Sequence, residues 1–383
     1  MNKIVNPHAL KYFKNNKKLI ACSPLYPPVE LFHAMGCLPV TLWGLREIFH
    51  STPFSDQHVQ NYACSVARHL TEFMLSEHAC LVDGLFMYNA CDTLRNLPEI
   101  IVSAAETTGR TMYLFQMHIP AIPFNETNSI PFFREEMSAL IHQLESALKK
   151  TFDPDTFMNS IHLYRTMRVL AKKFETIVAQ GRISFQTFSE ILMANHWLPV
   201  EKQIDHLKQA IDKALPAANT KNKRLWMTGI LPPPSSVINV IESSDFTIVG
   251  NDIAALKRSY DYTPKSQKDP LIFYTDFYQN HFPCSTLLNT SEKRLETMLA
   301  NVDHRQVDAV IFVGEKFCEH EYFEFPYIEK IFRSKGIPCL TLDISIDDFD
   351  NIGPFKTRIE AFSEMLESNT RESNININIK APL

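Results

Sequence analysis

A chain of 383 residues, 45% hydrophobic and 21% charged, has ordinary globular composition and the length of two or three domains. Its net charge of -5 argues against nucleic-acid binding, which needs clustered Lys and Arg against phosphates. No apolar run reaches the ~18 residues of a membrane span, and the Lys-containing, amphipathic N-terminus lacks the apolar core of a signal peptide. The expectation is a cytoplasmic protein, with neither nucleic acid nor membrane among its partners.

In chain order, residues 1–17 predict a short amphipathic helix. Residues 18–23 predict a strand, the prolines at 24–28 a turn, and residues 29–36 a helix closed by Gly36. A second strand at 38–42 completes a βαβ unit. Further on, the apolar run from Leu81 reads as a buried parallel strand opened by Asp83-Gly84 and leading to Cys91-Asp92. A helix and another strand, at 111–115, follow.

The pattern then returns about 206 residues later. Strands are expected at 224–229 and 246–250, with a proline turn at 231–234 and a helix at 237–243 between them. Pro28 and Pro234 sit at the same offset. Asp308 opens a strand ending at Gly314, followed by Cys318, a helix and a strand at 338–343. This reads as two similar α/β lobes, 18–125 and 222–366, the second finishing in a C-terminal helix. Chance recurrence of strand–turn–helix order is the bland alternative, against which four elements match in order. Between the lobes, 126–221 reads as a helical connector, with helices over 130–148, 154–180, 184–195 and 200–214. The Asn- and Ile-rich tail, 367–383, has no helical period and is expected to be mobile.

Eight cysteines without a CxxC pair are neither a disulfide framework nor a zinc knuckle, so any metal site is assembled from distant positions. Cys91 and Cys318 follow equivalent strands of the two lobes, where open α/β sheets place their ligands. If the lobes face each other, the two thiolates converge, and thiolates suit a soft metal or an iron–sulfur cluster. The plainer reading is two small buried residues. Cys64 starts a helix, whose N-terminus favours thiolate. Cys22, Cys37, Cys80, Cys284 and Cys339 read as structural, Cys80 and Cys339 at or in apolar strands. Ser23 and Glu30, on either side of the first proline turn, are candidate catalytic residues. Their plainer roles are a turn residue and a first-turn carboxylate favourable to the helix dipole. Ser65 reads as a cap. Lys257-Arg258 and Arg358 could meet an anion, with solvated or paired surface charge the default. There is no Walker A and no GxGxxG, and only ten glycines from which to build a phosphate loop.

The ordered segments 28–40, 64–68, 83–92, 308–319 and 336–366, closing with Thr357-Arg358-Ile359-Glu360-Ala361-Phe362, resemble the 2-hydroxyacyl-CoA dehydratase D-component family, which also contains benzoyl-CoA reductase subunits and double-cubane reductases. The resemblance covers nearly the whole chain. It implies two flavodoxin-like lobes with a [4Fe–4S] cluster held by Cys64, Cys91 and Cys318. It also implies pairing with a related subunit or with a second copy, and a separate ATP-dependent iron–sulfur activator that injects one electron. The activity it implies is radical elimination of water from a 2-hydroxyacyl-CoA. One electron on the thioester carbonyl gives a ketyl that expels hydroxide, the β-proton then becomes acidic, and the electron returns as the enoyl-CoA forms. Two stretches depart from the family pattern, 251–258 and 351–356. A reductase subunit of benzoyl-CoA or double-cubane type, and a non-catalytic partner subunit, therefore stay open beside the lyase. The cysteines of a second cubane do not line up, which favours a single one.

Overall fold

The computed structural model describes residues 7–14, 17–23, 25–120, 128–216, 222–287, 291–345 and 351–379. The first lobe begins with α1 (Pro7–Lys14), β1 (Lys18–Cys22), α2 (Val29–Ala34) and β2 (Cys37–Thr41). It continues through α3 (Ser65–Leu75), β3 (Gly84–Tyr88), α4 (Asp92–Thr107) and β4 (Tyr113–Met117). Its strands form a parallel sheet in the order β2-β1-β3-β4. β2 and β3 are buried at every position, as apolar runs are when helices cover both faces of a parallel sheet.

Four helices follow: α5 (Ser129–Leu148), α6 (Pro154–Ala179), α7 (Phe185–Asn195) and α8 (Val200–Asp212). Their starts are written locally. Asp153 accepts from Thr156 N at 2.8 Å with Pro154 in the first turn, and Ser184 accepts from Thr187 N at 3.1 Å. These are the helices expected for the connector, to within two residues.

The second lobe holds β5 (Lys223–Gly229), α9 (Ser235–Ser243), β6 (Phe246–Asn251), α10 (Lys257–Tyr260), α11 (Pro270–Asn280) and α12 (Ser291–His304). It ends with β7 (Ala309–Glu315), α13 (Glu319–Ser334), β8 (Cys339–Ile344) and α14 (Gly353–Ile379). The sheet order is β6-β5-β7-β8, the same winding as in the first lobe. Both lobes are flavodoxin-like in this sense. Gly229 closes β5 at φ 154°, and a Cβ there would run into Val313 O, so no other residue fits between β5 and β7.

One apolar core runs through both lobes and the connector, from Leu19 and Phe86 through Phe133 and Phe174 to Ile311. A second, built on Trp226, Met298, Val310 and Phe332, seals the outer face of the second sheet under α12 and α13. The connector is bonded to both lobes: Trp197 Nε1 donates to Trp43 O at 2.8 Å, and His196 Nε2 to Ala255 O at 2.8 Å. No helix among the described residues is long and apolar enough to cross a membrane.

Two expectations are corrected here. Cys80 lies not in a strand but in an exposed 3-10 turn, Glu77–Leu81, because β3 begins only at Gly84. The tail does not lose helical structure at 367: the backbone of α14 runs on to Ile379. Residues 380–383 lie outside the described residues.

Candidate functional site

All three candidate cysteines occupy the same local position, the residue before the first turn of a helix. Cys64 precedes α3, Cys91 precedes α4 and Cys318 precedes α13. Cys91 stands three residues beyond the end of β3, and Cys318 three beyond β7. The duplicated winding therefore puts both at the C-terminal edge of the third strand of their sheets. Cys91 Sγ accepts a hydrogen bond from Leu94 N at 3.3 Å, so the thiol takes the capping role usually held by Ser or Asp. Each of the three is half-buried.

The two lobes meet beside them. Glu315, the last residue of β7, is buried and accepts from Arg46 Nη2 at 2.8 Å and from Ser65 Oγ. Arg46 lies on a 3-10 turn of the first lobe and Ser65 is the first residue of α3, next to Cys64. The main-chain carbonyl of the same Glu315 accepts from Cys318 N at 2.9 Å. Phe317, between them, takes φ 66° and stays about half exposed.

Behind α13 lies a chamber of fully buried charge. Asp252 pairs with Arg258 at 3.6 Å and with Arg294 at 3.5 Å, and Arg294 also pairs with Glu324. Arg258 Nη1 donates to Cys284 Sγ at 3.3 Å. Burial alone would raise the Cys284 thiol, but Arg258 and Arg294 pull it below its ordinary range. Glu321, in the first turn of α13, is buried with no hydrogen-bond partner for either oxygen among the described residues, and burial pushes its carboxyl up to about 7 against the pull of the same arginines. The sequence default of surface charge at Lys257-Arg258 is thus wrong. Both are buried, Lys257 against Glu175 and Asp261, because α10 tucks them between the second lobe and α6. Arg358 is the exposed one, donating to Thr341 O.

Glu30 is 1% exposed and paired with Arg168 at 2.6 Å, and Tyr274 Oη donates to its other oxygen at 3.1 Å. These contacts tie α2 to the connector and to α11 and make none with the cysteines. Ser23, buried just past β1, has a hydroxyl without a hydrogen-bond partner among the described residues. Sequence reasoning missed Arg46, Glu315, Asp252, Arg294 and Glu321, and took Ser65 for a cap. Glu315 did carry a signal: it is a carboxylate ending an otherwise apolar strand three residues before a candidate ligand. Arg294 carried none, lying on an unremarkable amphipathic helix.

The thiols run against one expectation. Burial pushes Cys64 up to about 12, with Glu315 and then Cys91 adding to the rise. Burial raises Cys91 and Cys318 as well, with Glu321 and Cys64 contributing at Cys318. The helix N-termini are outweighed by desolvation and by like charge. The three sulfurs are therefore in a shared field of negative groups, and only a bound cation would make all three thiolates. That donor set fits a thiophilic iron centre. Among the described residues, no three His, Cys, Asp or Glu side chains are grouped closely enough to hold one metal ion. Cys64 lies close enough to Cys91 and to Cys318 for their charges to interact, and a [4Fe–4S] cluster would take each thiolate on a different iron.

The family model for 2-hydroxyglutaryl-CoA dehydratase, D-component, matches residues 24–366. The chain is similar to the (R)-phenyllactyl-CoA dehydratase beta subunit of Clostridium sporogenes, 24% identical over 357 residues that cover 92% of this chain and 93% of that one. It is 24% identical over 360 residues to the beta subunit of lactoyl-CoA dehydratase from Anaerotignum propionicum, covering 92% and 93%. It is also 22% identical over 365 residues to a benzoyl-CoA reductase subunit of Thauera aromatica, covering 92% of each.

Proposed function

Because this chain belongs to the 2-hydroxyglutaryl-CoA dehydratase D-component family, we propose that it is the iron–sulfur subunit of a 2-hydroxyacyl-CoA dehydratase complex. The reaction is elimination of water from a 2-hydroxyacyl-CoA to an enoyl-CoA, started by one electron from an ATP-dependent activator and returned at the end of each turnover. Cys64, Cys91 and Cys318 would hold a [4Fe–4S] cluster. The observation that carries this reading is their common placement, each before a helix, with two at the same point of duplicated lobes.

When bound, the cluster supplies a one-electron carrier and, beyond its three thiolates, a position for the substrate carbonyl. The chain supplies the rest. Leu94 N, in the first turn of α4, donates to Cys91 Sγ and would favour a thiolate there. Arg46 balances Glu315 beside the thiols. Ser23, whose hydroxyl has no hydrogen-bond partner among the described residues, stays a candidate for handling the substrate hydroxyl or a proton. Glu30, already held by Arg168 and Tyr274, is suited to shaping that turn. A related subunit is the natural partner, since the relatives are named as subunits.

A reductase is the second reading, supported by the full-length match to the benzoyl-CoA reductase subunit. Electron counting separates the two. The protein is purified without oxygen, with its partner subunit and activator, and supplied with acyl-CoA and a known amount of reductant. A lyase turns over many times per electron; a reductase consumes reductant in proportion to product. Absence of iron, sulfide and thiolate-to-iron absorption from the purified subunit would end both readings.

A further inference from the structure

Glu315 touches the surroundings of two candidate ligands at once. Its carbonyl receives Cys318 N at 2.9 Å, and its side chain receives Ser65 Oγ, one residue from Cys64. Arg46 fixes the second carboxylate oxygen at 2.8 Å. Glu315, Arg46 and Ser65 are all under a tenth exposed, so water does not loosen the contact. Ser65 and Glu315 are 250 residues apart, and the bond crosses from one lobe to the other. It links the neighbour of Cys64 directly to the residue that holds the Cys318 amide.

We propose that Glu315, gripping Ser65 and locked by Arg46, is a positioning residue that sets Cys64 against Cys318 and tunes the charge felt by whatever they bind. The proposal rests on the iron–sulfur reading above and assigns it three residues that neither ligate nor touch substrate. The physics is that of groups behind metal ligands: they fix the ligand's approach, and losing them weakens metal retention by roughly tenfold or more. Glu315 adds a sign. It places negative charge within reach of both the Cys64 and Cys318 sulfurs, and nearby negative charge disfavours adding an electron. Removing that charge eases reduction. Removing Ser65 Oγ loosens the geometry but changes no charge.

Four variants of the anaerobically purified chain separate these effects: Ser65→Ala, Ser65→Thr, Glu315→Gln and, as a control, Glu175→Gln. Glu175 is a comparably buried acceptor for Lys257 and Arg305, on α6. The readouts are iron and sulfide retained against a chelator, the electron-paramagnetic signal of the reduced protein, its midpoint potential, and thermal melting of the iron-free chain. Ser65→Ala is expected to retain roughly tenfold less iron, with Ser65→Thr close to wild type. Glu315→Gln is expected to move the midpoint potential upward and alter the signal. Glu175→Gln is expected to lower the melting temperature and leave the potential and signal in place. Wild-type retention and potential in both Ser65→Ala and Glu315→Gln overturns the proposal, as does equal iron loss in Glu175→Gln. A wild-type chain that binds no iron overturns the underlying reading first, and is told apart by that result.

Discussion

Asp83 and Asp308 make the same pair of hydrogen bonds in the two lobes. Asp83 N donates to Leu19 O at 2.8 Å, and Asp83 Oδ2 accepts from Leu19 N at 2.9 Å. Asp308 N donates to Arg224 O at 2.8 Å, and its Oδ2 accepts from Arg224 N at 2.7 Å. Each aspartate therefore extends the ladder between the first and third strands by one residue, just ahead of β3 or β7. Those strands carry Cys91 and Cys318 at their far ends. Asp308→Ala leaves Arg224 N to water and is expected to cost about 0.5–1.5 kcal/mol. Asp83→Ala is expected to cost a similar amount, plus the small part due to Lys14 and Lys18, each 3.7 Å away. Urea unfolding checks both. A loss confined to one lobe's aspartate would contradict the equivalence.

The cysteines divide into two groups by what their loss should do. Cys91→Ala, Cys64→Ala and Cys318→Ala are each expected to abolish bound iron. Cys339→Ala, in the outer core of the second lobe, is expected to leave iron intact and lower stability by about 1 kcal/mol, as a small buried deletion does. Iron and sulfide assays on all four decide it. Equal loss from Cys339→Ala would mean that folding, not ligation, explains the others.

Arg168 holds Glu30 in a buried ion pair. Arg168→Met strands the carboxylate and is expected to destabilise the chain by about 3–5 kcal/mol. The double variant Glu30→Leu with Arg168→Met is expected to recover much of that loss, since a well-packed apolar pair replaces a buried ion pair at little cost. Recovery of stability without recovery of turnover would point to a chemical role for Glu30. Recovery of both would leave it structural.

Two buried histidines, His69 and His281, and the half-buried His196 set an acid limit. Burial pushes His69 from 6.5 down to about 3, and His196 and His281 down to about 4. Below pH about 6.5 the unfolded chain takes up protons that the folded chain refuses. Their contribution to stability is thus intact above 6.5 and is lost as pH falls toward 4, at about 1.4 kcal/mol per histidine per pH unit. Urea midpoints measured at pH 7 and pH 5 should show the decline, and His69→Phe should make it shallower. An unchanged slope in that variant would show that His69 is not held neutral.

The amino-acid sequence by itself determined the parts that depend on near neighbours. Apolar runs between turn residues placed the strands within about two residues, and Asp153-Pro154 marked a connector helix start. The recurrence near 206 residues implied two lobes of one winding, which the two sheets have. The family resemblance was legible for the same reason, as ordered local segments. α10 and α11 were not legible, because the stretch carrying Lys257 and Arg258 looks like surface in any short window. Only the tertiary structure decided the charge around the cysteines. It set Glu315 against Ser65 and Arg46, joined Arg258 and Arg294 through Asp252, and buried Glu30 under Arg168. It also reversed the expected direction at Cys64, where desolvation and Glu315 outweigh the helix terminus. The physical reason is that a helix terminus is written in adjacent residues. Burial and Coulomb terms depend on what is folded against a group, and here the decisive partners lie as many as 269 residues away along the chain.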